Sequence, residues 1–321
     1  MPRPSNRRPN LLAFGISLSA IGILYAATHQ GASDAVASEH DSILLSLPAP
    51  IGDQIDPVTG VIVATGDKAT VDEPGNPESA ETTKIAISGR TAMLLQVLML
   101  EKGQAQFREL QGYGVTFLKR ERIDGSLGEM QHISLDVRHE PFSVYMKWKN
   151  YDKGRQLLFV PEENDGMAHV RLGGFKGRLL GAMKIAPDGP KAMAESRYPI
   201  TEAGVLPIVR KMLEYRRADL KKTGVTCQFD ENAEMYNRKC YRFDMHYDSP
   251  EACKLYRHCI AYLDQETLIP IRVCNYTWAV DAGEMSAKDL QELTLIEDYG
   301  FSDLKVKSEQ VAVETFKNRK L

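Results

Sequence analysis

The densest chemistry in the chain lies near residue 244, where Arg242, Asp244, His246 and Asp248 alternate with Tyr241, Phe243, Met245 and Tyr247. In an extended strand such alternation puts the four polar side chains on one face. Two carboxylates around a histidine could hold a metal or run acid–base chemistry, so Asp244, His246 and Asp248 form an alternative enzyme or metal site; the same pattern also describes the wet face of a half-buried strand. A second group is Arg197 and Tyr198, ahead of Pro199 and Thr201. An arginine there could clamp a phosphate or carboxylate head group, or pair with an acid to fix its loop. Gly173, Gly174, Gly177 and Gly181, beside Lys176 and Arg178, read as a bend between strands with no following helix to hold a phosphate. No G-x-S-x-G, H-E-x-x-H or G-x-x-x-x-G-K-[ST] occurs, which counts against serine hydrolases, zinc proteases and P-loop enzymes. We therefore expect no catalytic residue and no cofactor.

Apolar ligands are a different matter. Phe142, Val144, Met146 and Trp148 share one face of a strand-like stretch, with Ser143, Tyr145, Lys147 and Lys149 on the other. With Phe117 and the helical residues Met93, Leu94 and Val97, that face is either solid core or the lining of a pocket for acyl chains. Twelve methionines suit an adaptable apolar surface.

Five cysteines stand at 227, 240, 253, 259 and 274. In an oxidising compartment disulfides are the first expectation. Cys227 and Cys240 flank a polar loop centred on Ala233 and Glu234, and Cys259 and Cys274 flank the turn at Asp264-Gln265-Glu266-Thr267, so hairpins would pair 227 with 240 and 259 with 274, leaving Cys253 free. Without a C-x2-C pair, and with His246 and His258 completing no familiar ligand spacing, no metal centre is expected from the cysteines.

The elements that must position these groups are mostly strands. Ser88 could cap a helix from Arg90 to Lys102, ended by Gly103 and apolar on nearly every face. After it the period becomes two. Strands are predicted over 115–122, 133–137, 142–149, 156–160, 168–172, 179–185, 240–247, 255–263, 269–278 and 293–299. One further helix, capped by Thr201, carries Val205, Val209, Met212 and Leu213 on its inner stripe. The pattern predicts a mainly β (α+β) fold: one curved, mostly antiparallel sheet with helices on its concave face, where any space they leave becomes a cavity.

Arg3, Arg7 and Arg8 precede an uncharged run, Leu11 to Ala27, with the layout of a secretory signal, and Ala35-Val36-Ala37 supplies a small-residue cleavage site. At ~1.5 Å per residue the run spans roughly 25 Å, marginal for a bilayer, so residues 1–37 read as a cleaved signal or, failing cleavage, an inner-membrane anchor at 11–27. Residues 38–83 hold nine acids and one lysine and read as a disordered linker, leaving 84–321 as the folded domain. A net charge of −3 gives no electrostatic reason to expect nucleic acid.

Arg138-His139-Glu140-Pro141-Phe142-Ser143-Val144-Tyr145-Met146-Lys147-Trp148, then Gly154-Arg155-Gln156-Leu157-Leu158-Phe159-Val160, Asn164-Asp165-Gly166 and Ser196-Arg197-Tyr198-Pro199-Ile200-Thr201, resemble the domain of unknown function 1571 family of bacterial envelope proteins. Tyr262-Leu263-Asp264 followed by Thr267-Leu268-Ile269-Pro270-Ile271-Arg272 is similar to a strand-turn-strand of the wider LolA-like group of lipoprotein carriers. The resemblance covers about 90–318. It implies an open half-barrel with helices in its mouth that shelters acyl chains. The expected function is thus an exported, non-enzymatic protein of the periplasm or cell envelope that binds a lipid or lipoprotein acyl chains at Met93, Leu94, Val97, Phe117, Phe142, Val144, Met146, Trp148, Arg197 and Tyr198. An envelope sensor or protein-interaction module using the same sheet is the alternative.

Overall fold

Apolar residues that repeat at every second position are buried by strands covered on one face. The computed structural model describes residues 87–279, 285–317, 319 and 321; the signal or anchor expected over 1–37 and the linker over 38–83 lie outside them. In chain order the elements are α1 (Gly89–Arg108), β1 (Gly112–Ile123), β2 (Ser126–Leu127), β3 (Gln131–Arg138), β4 (Ser143–Trp148), β5 (Gln156–Phe159), β6 (Ala168–Arg171), α2 (Gly174–Leu180), β7 (Ala182–Ile185), α3 (Pro190–Met193), α4 (Val205–Asp219), β8 (Val225–Met235), β9 (Arg238–Tyr247), β10 (His258–Asp264), β11 (Pro270–Tyr276), α5 (Ala287–Thr294), β12 (Leu295–Lys307) and α6 (Glu309–Lys317).

The strands form one open antiparallel sheet in the order β7-β6-β5-β4-β3-β1-β12-β11-β10-β9-β8, with β2 paired to β1. Two meanders meet at the β1–β12 pair, and the sheet's edges are β7 and β8. A sheet this wide twists and curls rather than lying flat. The expected class, a curved half-barrel sheet with helices on its concave face, is the observed one. The long connection from β7 to β8 joins one edge to the other and so crosses that face; it carries α3, an irregular strap over 194–204, and α4.

Helix α1 buries Ala92, Met93, Gln96, Val97, Leu100, Gly103 and Phe107, the spacing of a single face. It is not covered all round, since Leu94 and Leu98 are about half exposed. Nor does Gly103 end it: a Cβ there would lie 2.5 Å from the Leu268 carbonyl oxygen, so the glycine lets the helix press onto the β10–β11 turn. On α4, Arg216 donates to the Tyr247 hydroxyl (2.8 Å), which donates to the buried Asp219 (2.7 Å), and this fixes the helix end against β9. Gly204, not Thr201, occupies the cap position of α4, because Thr201 belongs to a 3-10 turn over Ile200–Glu202. The glycine-rich stretch forms α2 rather than a bend, and of the strand expected over 179–185 only Ala182–Ile185 becomes β7.

The expected disulfides are overturned. The β8–β9 turn lies at Tyr236 and Asn237, both with positive φ, instead of at Ala233 and Glu234. Cys227 therefore faces Met245 and Cys240 faces Ala233, five residues and roughly 17 Å apart along β9. Cys259 faces Asn275 while Cys274 faces Ile260, so their side chains leave opposite sides of the sheet. All five cysteines are free and buried. Burial pushes the thiols of Cys227, Cys259 and Cys274 up to about 12 and that of Cys240 to about 11, keeping them protonated near neutral pH. Non-reducing peptide mapping of the folded protein is expected to recover these four without a 227–240 or 259–274 link, and alkylation to require denaturant; either link would contradict the strand registers.

Candidate functional site

The two halves of the concave face are filled differently. Over β9 to β12, α4 packs closely, and the pocket beneath it beside Phe243, Met245 and Ala261 holds about 70 Å3. Over β1 and β3 to β7 lies an open cavity of about 1120 Å3, as large as the larger small-molecule sites.

Register builds its floor. Leu135 faces Met146, Met146 faces Leu157, Leu157 faces Val170 and Val170 faces Met183, an apolar ladder across five strands. A second row joins Phe117, Ile133 and Trp148. From Met146 outward the ladder lines the cavity, as does the second row. Trp148 is held in place by donating from Nε1 to Gln131 Oε1 (2.9 Å), with the Arg155 guanidinium 4.9 Å above its ring. Ala192, Ala194, Tyr198, Pro199 and Ile200 come from the crossing connection and form the roof.

Fixed charge pins one end of that roof. Glu121 on β1 and Glu297 on β12 are direct cross-strand partners, both buried. Opposed like charges repel, and a buried carboxylate needs partners. Glu297 receives Arg197 Nε (3.0 Å), the Tyr198 hydroxyl (3.0 Å), the Tyr256 hydroxyl (3.2 Å) and Asn275 Nδ2 (2.7 Å). Glu121 receives the Arg197 backbone N–H (3.2 Å), Lys119 Nζ (3.0 Å) and the Tyr299 hydroxyl. Lys119 also donates to Ser196 Oγ (2.9 Å), and Arg155 pairs with Glu195. Burial, then the two carboxylates, drive the Tyr299 hydroxyl well above its ordinary pKa; for Arg197, burial opposes the charge but Glu297 more than restores it.

Of the sequence-predicted ligand residues, Phe117, Met146, Trp148 and Tyr198 line the cavity. Met93, Val97 and Val144 are packed core, Phe142 packs against that core, and Leu94 is exposed. Arg197 pairs through Nε with Glu297. Sequence reasoning missed Leu157, Val170, Met183, Glu121 and Glu297; the signal for the last two was an acid at an inward position of each strand, in line with Phe117 and Phe301.

The polar face of β9 points away from the cavity. Arg242 pairs with Asp244, and Asp244 Oδ1 lies 3.0 Å from His246 Nε2 and 2.6 Å from His258 Nε2. Asp248 is beyond the strand end and outside this cluster. His258, not expected here, arrives because β10 places it opposite His246. Burial raises the Asp244 carboxyl, but the His258 hydrogen bond and the neighbouring cations bring it below its usual range; burial and then His258 hold His246 low.

The family model described as a protein of unknown function (DUF1571) matches residues 110–319. No curated protein matches. Among solved structures, similar chains include a putative outer membrane lipoprotein-sorting protein domain from Vibrio parahaemolyticus (10% identity, 71% of this chain and 100% of that one, TM-score 0.30). Others are the lipoprotein LppX of Mycobacterium tuberculosis (10%, 67% and 97%, TM-score 0.37) and a LolA superfamily protein of Nitrosomonas europaea (8%, 66% and 93%, TM-score 0.24). At these scores the likeness adds nothing to what the strand order itself establishes.

Replacing Arg197 by Met leaves Glu297 buried without its cation and is expected to cost about 3 kcal/mol of unfolding free energy. Glu297→Gln in the same chain should recover part of that loss, a coupling readable by denaturant titration of the double-mutant cycle. Strict additivity of the two substitutions would show that the strap is not held by this pair.

Proposed function

This chain belongs to the DUF1571 family, and on that premise we propose that it is an exported, non-enzymatic binding protein of the cell envelope whose cavity takes a lipid or the acyl chains of a lipoprotein. The observation that carries this reading is the unfilled 1120 Å3 under half of a sheet whose other half is packed nearly solid. A fold that filled both halves with its own helices would have no place for cargo. Each methylene withdrawn from water contributes roughly 0.8 kcal/mol, so a sixteen-carbon chain gains on the order of 12 kcal/mol before ordering costs. Polar groups at one corner, Lys119, Gln131 and Arg155, suit the end of a chain that carries a head group. Beside edge strand β7, α2 exposes Phe175, Leu179 and Leu180, which puts apolar surface next to the open side. Among the described residues no helix is long and apolar enough to cross a membrane.

Native mass spectrometry of the purified protein is expected to show co-purified lipid, displaced by added long-chain fatty acid. In a Trp278→Phe background the remaining cavity tryptophan, Trp148, should change its emission on titration. Leu157→Glu, which sets a charge in the floor, should keep the fold and lose the ligand. A protein that is repeatedly lipid-free and also rejects fatty acyl ligands would end this reading.

A further inference from the structure

On the sheet face opposite the core, β9 and β10 bring two imidazoles and a carboxylate to one point. Phe243, Met245, Tyr247 and Cys259 belong to the core under the helices, so by alternation Asp244, His246 and His258 face outward. His246 and His258 are direct cross-strand partners, their rings 4.1 Å apart and 13° from parallel. Both Nε2 atoms converge on Asp244 Oδ1, at 3.0 and 2.6 Å, and the three donor atoms lie within 4.8 Å of one another.

We propose that Asp244, His246 and His258 form a binding site for a divalent transition-metal cation of the zinc class. Two neutral imidazoles with one carboxylate are the donor set that borderline cations such as Zn2+ take up, at about 2.0–2.2 Å per ligand, so that ligands on one ion stand roughly 3–4 Å apart, and the three donor atoms here already lie within 4.8 Å of one another. The surroundings hold the ligands in place. Asp244 presents one oxygen to the histidines while Arg242 holds the other, the outer-shell contact that orients a ligating carboxylate. His258 is buried and backed by the Tyr276 ring at 5.1 Å, so one side of the site is rigid. The His246 side chain is 46% exposed, which leaves an approach from solvent and open positions for water. A lone carboxylate–histidine pair would need only one imidazole; a second aimed at the same oxygen is what a cation explains. The site lies on the other face of the sheet from the cavity, so it stands whether or not the cavity holds lipid.

The test uses the full chain, freed of metal by chelator, titrated with ZnCl2 alone by calorimetry and by competition against a chromophoric chelator. One equivalent is expected to bind at micromolar or tighter affinity. His246→Ala, a half-exposed position that the fold does not need, should weaken binding by at least about tenfold, and His258→Gln likewise. With Co2+, the absorption spectrum should lack a thiolate charge-transfer band, which separates this site from the five cysteines. Absence of stoichiometric binding, equal binding in both histidine variants, or a thiolate band would each overturn the proposal.

Discussion

Two carboxylates that face one another across the central strand pair, Glu121 and Glu297, set the constraint on which the candidate cavity depends. Neither is stable as a buried anion alone, and together they repel. The sheet supplies Lys119, Asn275 and Tyr299 and the β9–β10 loop supplies Tyr256, but the guanidinium comes from Arg197 on the strap. The strap is thereby fastened where the two meanders meet. Few apolar side chains hold it otherwise, chiefly Tyr198 and Ile200, so the cost of leaving a buried charge unpaired, several kcal/mol, is of the same order as what burial of those side chains contributes. The roof is thus pinned over Glu195–Tyr198 by its ion pairs.

Topology explains why only one half of the sheet is filled. Helix α4 leads into β8, an edge strand, and its C-terminal turn is tied to β9 by Arg216, Asp219 and Tyr247. Helix α1 begins beside β8, through the Ser88–Gln228 bridge, and presses Gly103 onto the β10–β11 turn. Both helices are thus committed to the β8 side. The β7 side receives only the short α3 and the strap, which carry too little side-chain volume to meet the ladder beneath them. A protein interior otherwise packs to crystal-like density, and the contrast between about 70 and about 1120 Å3 on one continuous sheet follows from that assignment of helices.

Much of this architecture was legible as period-two alternation. The strands at 115–122, 133–137 and 142–149 were readable because each places apolar residues at every second position, and their shared face supplied Phe117, Met146 and Trp148. What alternation could not supply was pairing. That Glu121 meets Glu297, or His246 meets His258, depends on registers between strands far apart in sequence or separated by irregular loops. Strand β8 was hidden because its residues from Asp230 to Glu234 are mostly polar and exposed at a sheet edge, and the turn was misplaced for the same reason. Val144 was read as cavity wall because a strand shows which side chains share a face without showing where along it the helices stop.

The same alternation decides the fate of the cysteines. A count of five cysteines argues for disulfides only if two sulfurs can come within about 4–7 Å across Cα positions with their side chains on one side. In β10 and β11 adjacent strands are close enough, yet an offset of one residue sends Cys259 into the core and Cys274 to the outer face with Tyr276 and Leu295. In β8 and β9 the faces also differ, since Cys227 lies over the core opposite Met245 while Cys240 is in line with Arg242 and Asp244, and the distance along the strand is too great as well. The protection of these four thiols is therefore geometric and electrostatic: burial raises the pKa of Cys227, Cys240, Cys259 and Cys274, and no partner sulfur stands opposite. The one-residue offset that keeps Cys259 from Cys274 also puts His258 outward, opposite His246, since neighbouring residues on one strand must take opposite faces. The thiol chemistry denied on the inner face and the imidazole pairing gained on the outer face thus share one cause, the register of β10.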